Sequence, residues 1–130
     1  MILHAGDVGG PSILAALNDI APTQAVYGNV DDAHDPALAR ERVVTIAGIT
    51  IHVSHGHELG RPTPELVAAR YAGEVLVFGH THKAVTWRAA DRLVINPGAA
   101  GPRRFDLKPS VARLTIAGGA VDCETIWLAG

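Results

Sequence analysis

A single cysteine, Cys123, is all the thiol chemistry in 130 residues. That excludes an internal disulfide and a zinc site built on cysteines, and it fits a reducing, cytoplasmic setting. Excess charge is lacking too: 11 Lys and Arg against 13 Asp and Glu leave a formal net charge of -2 and a pI near 6.4. No basic face announces specific binding to nucleic acid. No apolar run approaches the length of a membrane span, and no basic stretch followed by an apolar core opens the chain, so neither a membrane partner nor a signal segment is expected. Repeats, low-complexity tracts and linkers are absent. Present instead are apolar residues, at 48%, with a positive mean hydropathy. Such a composition excludes a disordered polymer, and the length predicts one domain over residues 1–130 with a core of its own. Histidine also stands out: there are seven, four of them His55, His57, His80 and His82.

The apolar pattern divides early α/β structure from later hairpins. Ile2 to Ala5 reads as the end of a buried strand that runs into Gly6-Asp7. Ile13, Leu14 and Leu17 give Pro11 to Asn18 a helical period, with Pro11 suited to its first turn. Ala25 to Tyr27 is a short strand ending at Gly28-Asn29, and Asp31 to Pro36 is a polar loop. Arg42 to Ile46 and Ile49 to Ser54 alternate about Ala47-Gly48 as a hairpin. A loop rich in Gly and Pro leads to a helix over Pro64 to Ala72, for which Thr63 is the cap. Val75 to Phe78 is wholly apolar, as a strand buried on both faces should be. Two further hairpins follow, Val85 to Arg88 with Leu93 to Ile95, and Val111 to Ile116 with Val121 to Leu128. Two packed sheets with helices outside are predicted.

Polar residues of metal-binding type recur where these strands end. His80 and His82, two apart after a buried strand, can point at two sides of one small volume, and imidazole is the commonest protein ligand for transition metals. Asp7, set among Gly6, Gly9 and Gly10, suits a carboxylate bridging two cations or a cap for the helix that follows. Asn29 can offer an amide oxygen to a metal and its nitrogen to phosphate, or sit in a turn. Of His55 and His57, one can reach a metal while the other meets substrate or a neighbour. His52 alternates with Ile51 and Val53 and reads as a strand residue facing the other side. His4 reads as packing and His34 as solvated. Asp31, Asp32 and Asp35 read as surface charge, although Asp31 is near enough to Asn29 to reach a site there.

The order Gly6-Asp7, Gly28-Asn29-Val30-Asp31, His55-Gly56-His57, Gly79-His80-Thr81-His82 and Asn96-Pro97-Gly98 resembles the calcineurin-like metallophosphoesterases, most closely their small prokaryotic phosphodiesterase branch. The resemblance covers nearly the whole chain. It implies an α/β fold of two packed mixed β-sheets flanked by helices, a four-layer αββα sandwich. It implies one or two divalent transition metal ions per chain, for which manganese, iron, nickel and zinc all suit the donors. Asp7 takes the position of the bridging carboxylate, Asn29, His55 and His80 those of the other ligands of one metal, and His82 that of a ligand of its neighbour. Asn29, His55 and His57 are then the catalytic candidates, with His57 beside the site. Arg103 and Arg104 match a stretch suited to gripping phosphate, or to a salt bridge. The implied reaction is phosphodiester hydrolysis by a metal-bridging hydroxide, on a small phosphate-ester substrate.

Family members begin with a strand carrying Asp-x-His and a helix, whereas here Gly-Asp already stands at Gly6-Asp7. The resemblance therefore implies an N-terminally truncated domain whose first strand and helix are missing. One metal keeps four protein ligands, while the other keeps Asp7 and His82. Weak or absent activity is the expectation for this chain, and self-association is expected to cover the open strand edge. Either Met1 is internal to a longer protein or the truncation is real. The alternative function is a non-catalytic binding or scaffold module on the same fold, for which a relative in the eukaryotic retromer complex is a precedent.

Overall fold

The computed structural model describes residues 1–101 and 107–128. In chain order the elements are β1 (Ile2–His4), α1 (Pro11–Ile20), β2 (Thr23–Val26), β3 (Leu38–Ala39), β4 (Glu41–Ile46), β5 (Ile49–Ser54), a 3-10 turn (His57–Leu59), α2 (Pro64–Arg70), β6 (Val75–Val77), β7 (Val85–Ala89), β8 (Arg92–Asn96), β9 (Ser110–Ala117) and β10 (Ala120–Trp127). No helix among the described residues is long and apolar enough to cross a membrane.

The largest sheet has the order β4-β5-β6-β8-β7, with β5, β6 and β8 parallel and an antiparallel strand at each edge. Its register explains its composition. Ile51 pairs with Val75 and Val75 with Leu93, while Val53, Val77 and Ile95 form the next row. Both rows lie on one face and make the larger core with Val26. On the other face His52, Leu76 and Val94 align, and Leu76 and Val94 pack with Val67 and Tyr71 of the α2 segment. A strand covered on both faces has no polar side to show, hence the unbroken Val75-Leu76-Val77. Thr63 caps α2 as expected, its hydroxyl accepting from the Leu66 N–H at 3.2 Å. At the other end Arg92 donates to the carbonyls of Ala68, Tyr71 and Gly73. It thereby answers carbonyls the helix leaves without partners and sets positive charge at the negative end of the dipole.

Facing the larger core is a second layer in two hydrogen-bonded pieces. One is the parallel sheet β1-β2-β3 and the other the hairpin β9-β10. Leu3 and Ala5 from the first piece, with Ala112, Leu114 and Ile116 from the second, pack on the same core residues. The four layers are thus α1, this divided sheet, the five-stranded sheet and α2. Among the described residues the outer edge of β1 carries no strand. α1 runs two residues beyond the helix expected from its apolar period and buries none of its residues fully. β3 was not expected, because two residues carry no period.

His52 does face away from the larger core, but it is buried. Its ring stacks on Tyr71 at 4.4 Å, and its Nε2 lies 3.2 Å from Glu41 Oε1. Leu76 has no exposed surface, whereas Ile20 is 77% exposed. Leu76→Ala is expected to lower stability by roughly 2–5 kcal/mol in urea unfolding. Ile20→Ala should change it by less than about 0.5 kcal/mol, and equal effects would contradict this layer assignment.

Candidate metal centre

Parallel strands end together, and ligands in open α/β sheets gather outside their carboxyl ends. β1 leads to Asp7, β2 to Asn29, β5 to His55 and β6 to His80, so the two sheets deliver these side chains to one rim.

His55 is the hub. It is 2% exposed, and its Nδ1 lies 2.7 Å from the carbonyl oxygen of Ala5. A carbonyl only accepts, so Nδ1 carries the proton and Nε2 presents a lone pair. Around that nitrogen stand Asn29 Oδ1 at 3.1 Å, His80 Nδ1 at 3.2 Å and Asp7 Oδ2 at 3.4 Å. His80 can answer the lone pair with an N–H of its own. The Asn29 and Asp7 oxygens cannot: three acceptors face one another across a small space. A cation resolves such a clash. Donors held about 2.0–2.2 Å from one ion stand about 3.0 Å apart in cis octahedral and about 3.4 Å apart in tetrahedral arrangement, the range seen here. The donor set fits a divalent transition metal in chemistry and in spacing from His55. The distances all radiate from His55, and no group of three or more His, Cys, Asp and Glu side chains is closed into a cage among the described residues.

Burial pushes the His55 imidazole below its ordinary 6.5, helped by His80 and His57. The Ala5 bond and the Asp7 charge oppose this without reversing it. The ring is therefore neutral at pH 7, the form that ligates.

The backbone is bent to hold the set. Asp7, His80 and His82 have φ of 54°, 71° and 62°, in the left-handed region that costs side-chain-bearing residues of order 1–3 kcal/mol. The other non-glycine residues there, Ala47 and Ala90, sit in hairpin turns. Space is equally tight. A Cβ on Gly6 would come within 2.5 Å of His55 Nδ1, and one on Gly28 would overlap the Asp7 carboxylate. His57 stands beside the set as expected, its ring centre 5.2 Å from that of His55 and 6.3 Å from that of His80. Its Nδ1 is buried without a partner. His82 is half-buried on the loop after His80. Arg103 and Arg104 lie outside the described residues.

Two readings of the sequence are corrected here. Asp7 does not cap α1, whose N-cap is Gly10 with no side-chain bond. Its Oδ1 instead accepts from Val30 N–H at 3.2 Å, which ties the two strand ends together. Asp31 is half-buried and does more than a solvated charge would. It accepts from the N–H groups of Val8 and Gly28 at 2.9 Å and of Gly9 at 3.2 Å. Burial alone would raise its pKa, but these bonds hold it below the ordinary carboxylate value. Asn96 was noticed only as part of a motif. It donates to Gly79 O and Thr81 Oγ1 and accepts from Gly98, bracing the loop that carries His80. Such bridges between distant segments have no spacing signal.

Comparison with known proteins bears on the family and the fold. A family model described as the calcineurin-like phosphoesterase superfamily domain matches residues 1–119. A probable metallophosphoesterase of Methanothermobacter thermautotrophicus is 36% identical over 132 residues, covering 97% of this chain and 74% of the relative. Phosphodiesterase YfcE of Escherichia coli is 33% identical over 90 residues, covering 64% of this chain and 47% of the relative. The chain thus spans part of the length of each. Among solved structures, Vps29 of Entamoeba histolytica complexed with zinc superposes with a TM-score of 0.76 at 25% identity, covering 96% of this chain and 80% of that one.

The depressed His55 makes a signed prediction. Between its folded value and 6.5 the unfolded chain binds a proton that the folded chain does not, so stability rises with pH across that window. His4, also lowered by burial, adds the same sign. Urea midpoints of chelator-treated protein should be level above about pH 7 and fall on acidification below 6.5. His55→Gln should flatten part of that fall. A midpoint that rises toward pH 5.5 would contradict the neutral His55.

Proposed function

The chain belongs to the calcineurin-like phosphoesterase superfamily, and from that premise we propose that it is a metal-dependent phosphodiesterase whose first cation is held by Asp7, Asn29, His55 and His80. The observation that carries this reading is the unprotonated Nε2 of His55 facing the Asp7 and Asn29 oxygens, with His80 Nδ1 at 3.2 Å. When bound, a divalent cation there supplies Lewis-acid charge at the phosphoryl group and lowers the pKa of water.

The chain's own residues supply orientation. Ala5 fixes the tautomer of His55 through its carbonyl. Asn29 is exposed at the rim, where its amide N–H groups can donate to a phosphoryl oxygen. His57, with its ring among Tyr27, His55 and His80, is placed to hold a proton for a departing alkoxide. His82 is assigned to a neighbouring cation, and Arg103 and Arg104 to phosphate. Manganese, iron, nickel and zinc all suit the donors, with one or two ions per chain. The substrate is a phosphate-ester small molecule met in the cytoplasm. Among the described residues one cation is assigned four donors and its neighbour Asp7 and His82, and slow turnover is proposed for these donors alone.

A second reading, a binding module, is supported by the free edge of β1 and by the uncovered α1, where Ile13 is 45% exposed. Such a surface suits a second copy of this chain.

Hydrolysis of bis(p-nitrophenyl) phosphate should appear with added manganese and vanish with chelator. His55→Ala and His80→Ala should each lower it by about a hundredfold or more. Absence of bound metal together with a tight dimer in sedimentation would favour the binding module. Activity that ignores both chelator and His55→Ala would overturn the assignment.

A further inference from the structure

A cavity of about 360 Å³ is lined by Val8, Leu14, Val30 and Leu38 and by Asp31, Asp32 and Asp35, on the segments that follow Asp7 and Asn29. Its position ties it to the metal centre. Val8 follows Asp7, Val30 follows Asn29, and the Val30 N–H donates to Asp7 Oδ1. A diester held with its phosphorus near Asp7 and Asn29 would have these walls within reach of one ester arm, since the Val30 N–H lies 3.2 Å from Asp7 Oδ1. Val30 is 72% exposed, an apolar side chain with nothing of its own to cover it.

The chemistry of the walls selects the arm. Its apolar side chains are aliphatic, Gly9, Gly10 and Pro11 at the start of α1 complete the lining, and no aromatic ring among the described residues lines it, so a nucleobase has nothing to stack on. Three carboxylates line it, Asp31 included, and no Lys or Arg among the described residues does. Asp32 and Asp35 each spend one oxygen on a turn of their own, accepting from His34 and Ala37 N–H at 2.9 Å. Arg42, at the base of the same loop, spends its guanidinium on the carbonyls of Ala25 and Ala37. The loop therefore offers negative charge over an aliphatic bed, at the small end of ligand-pocket volumes.

We infer that this cavity seats one ester arm of the substrate, and that the arm is a short aliphatic alcohol bearing an ammonium group, held by its carbon chain on Val8, Leu14, Val30 and Leu38 and by its charge against Asp32 and Asp35. The inference rests on the phosphodiesterase reading above and names its substrate class.

The test uses three diesters that share a p-nitrophenyl leaving group and differ in the other arm: choline, its uncharged isostere 3,3-dimethylbutanol, and 3-hydroxypropionate. At low ionic strength kcat/KM should favour the choline arm over the isostere by about threefold or more, and over the carboxylate by about tenfold. Half a molar salt should shrink both ratios. Asp32→Asn with Asp35→Asn should bring choline and isostere close to equality, and Val30→Lys, a second variant should the first not fold, should reverse the charge preference. Equal rates for the three arms, or a choline advantage untouched in the folded variants, would overturn the inference. If none of the diesters turns over, the phosphodiesterase reading falls and the cavity is judged alone. Choline should then shift the methyl resonances of Val8, Leu14, Val30 and Leu38, and their indifference to choline would overturn the inference as well.

Discussion

One bond joins the two halves of this molecule at the place where the chemistry is proposed: His55 Nδ1–H donates to the carbonyl of Ala5. It runs from the end of β5 in one sheet to the end of β1 in the other. Through it the tautomer of His55 is set, so Nε2 faces the rim as a lone pair rather than as a donor. Its neighbours are shaped by it. Gly6 has no Cβ because His55 occupies that space, and Gly79 brings its backbone against the Ala5 oxygen while donating its N–H to the His55 carbonyl. A larger residue at Gly6 would displace the imidazole that the other donors surround, and one at Gly79 would press on the Ala5 carbonyl to which that imidazole donates.

That arrangement stores strain, and nearby polar groups hold it in place. Asp7, His80 and His82 keep left-handed backbone that isolated residues would leave. Asp31 answers with three backbone N–H bonds that tie the Asp7 segment to the Gly28 turn, and Asn96 clamps the His80 loop from below. Neither bracing residue is placed against a metal. Asp31 spends its hydrogen-bonding capacity on backbone, and Asn96 divides its own between backbone and the Thr81 hydroxyl, which is how a loop keeps one conformation without help from a core. The donor oxygens of Asp7 and Asn29 can then face a bare nitrogen, a juxtaposition that a mobile loop would relax.

What the sequence disclosed and what it hid follow the same physical line. Period and apolarity found β5, β6 and the three hairpins, because burial on one or both faces leaves a local pattern. The donors were legible because each stands at a strand end: His55 after Ile51-His52-Val53-Ser54, His80 after Val75-Leu76-Val77-Phe78. Residues whose role lies in one long-range bond left no such trace. Asp31 looked like any aspartate in a polar loop. Arg92 carries no spacing signal of its own, although it holds three carbonyls about the end of α2. β3 is too short for any period, and only its parallel register with Ala25 and Val26 defines it. The division of the second sheet into two pieces was likewise hidden, since pairing between strands is not a local property.

The divided sheet changes how the centre and the fold depend on each other. The five-stranded sheet is covered on both faces, with Leu76, Val75 and Val94 free of solvent. The β1-β2-β3 sheet is covered on one face by the core and on the other by a helix that buries nothing fully, and among the described residues no strand pairs with its β1 edge. Yet two of the four donors, Asp7 and Asn29, come from this weaker layer. A cation shared between the layers would therefore stabilise the weaker one, because binding to the folded state alone adds RT ln(1 + [L]/Kd) to its stability. The converse also holds. Opening β1 would withdraw Ala5 and Asp7 together, freeing the tautomer of His55 and removing a carboxylate in one motion. Holding the first layer in place, by metal or by whatever covers its edge, is thus the same physical problem as keeping the centre assembled.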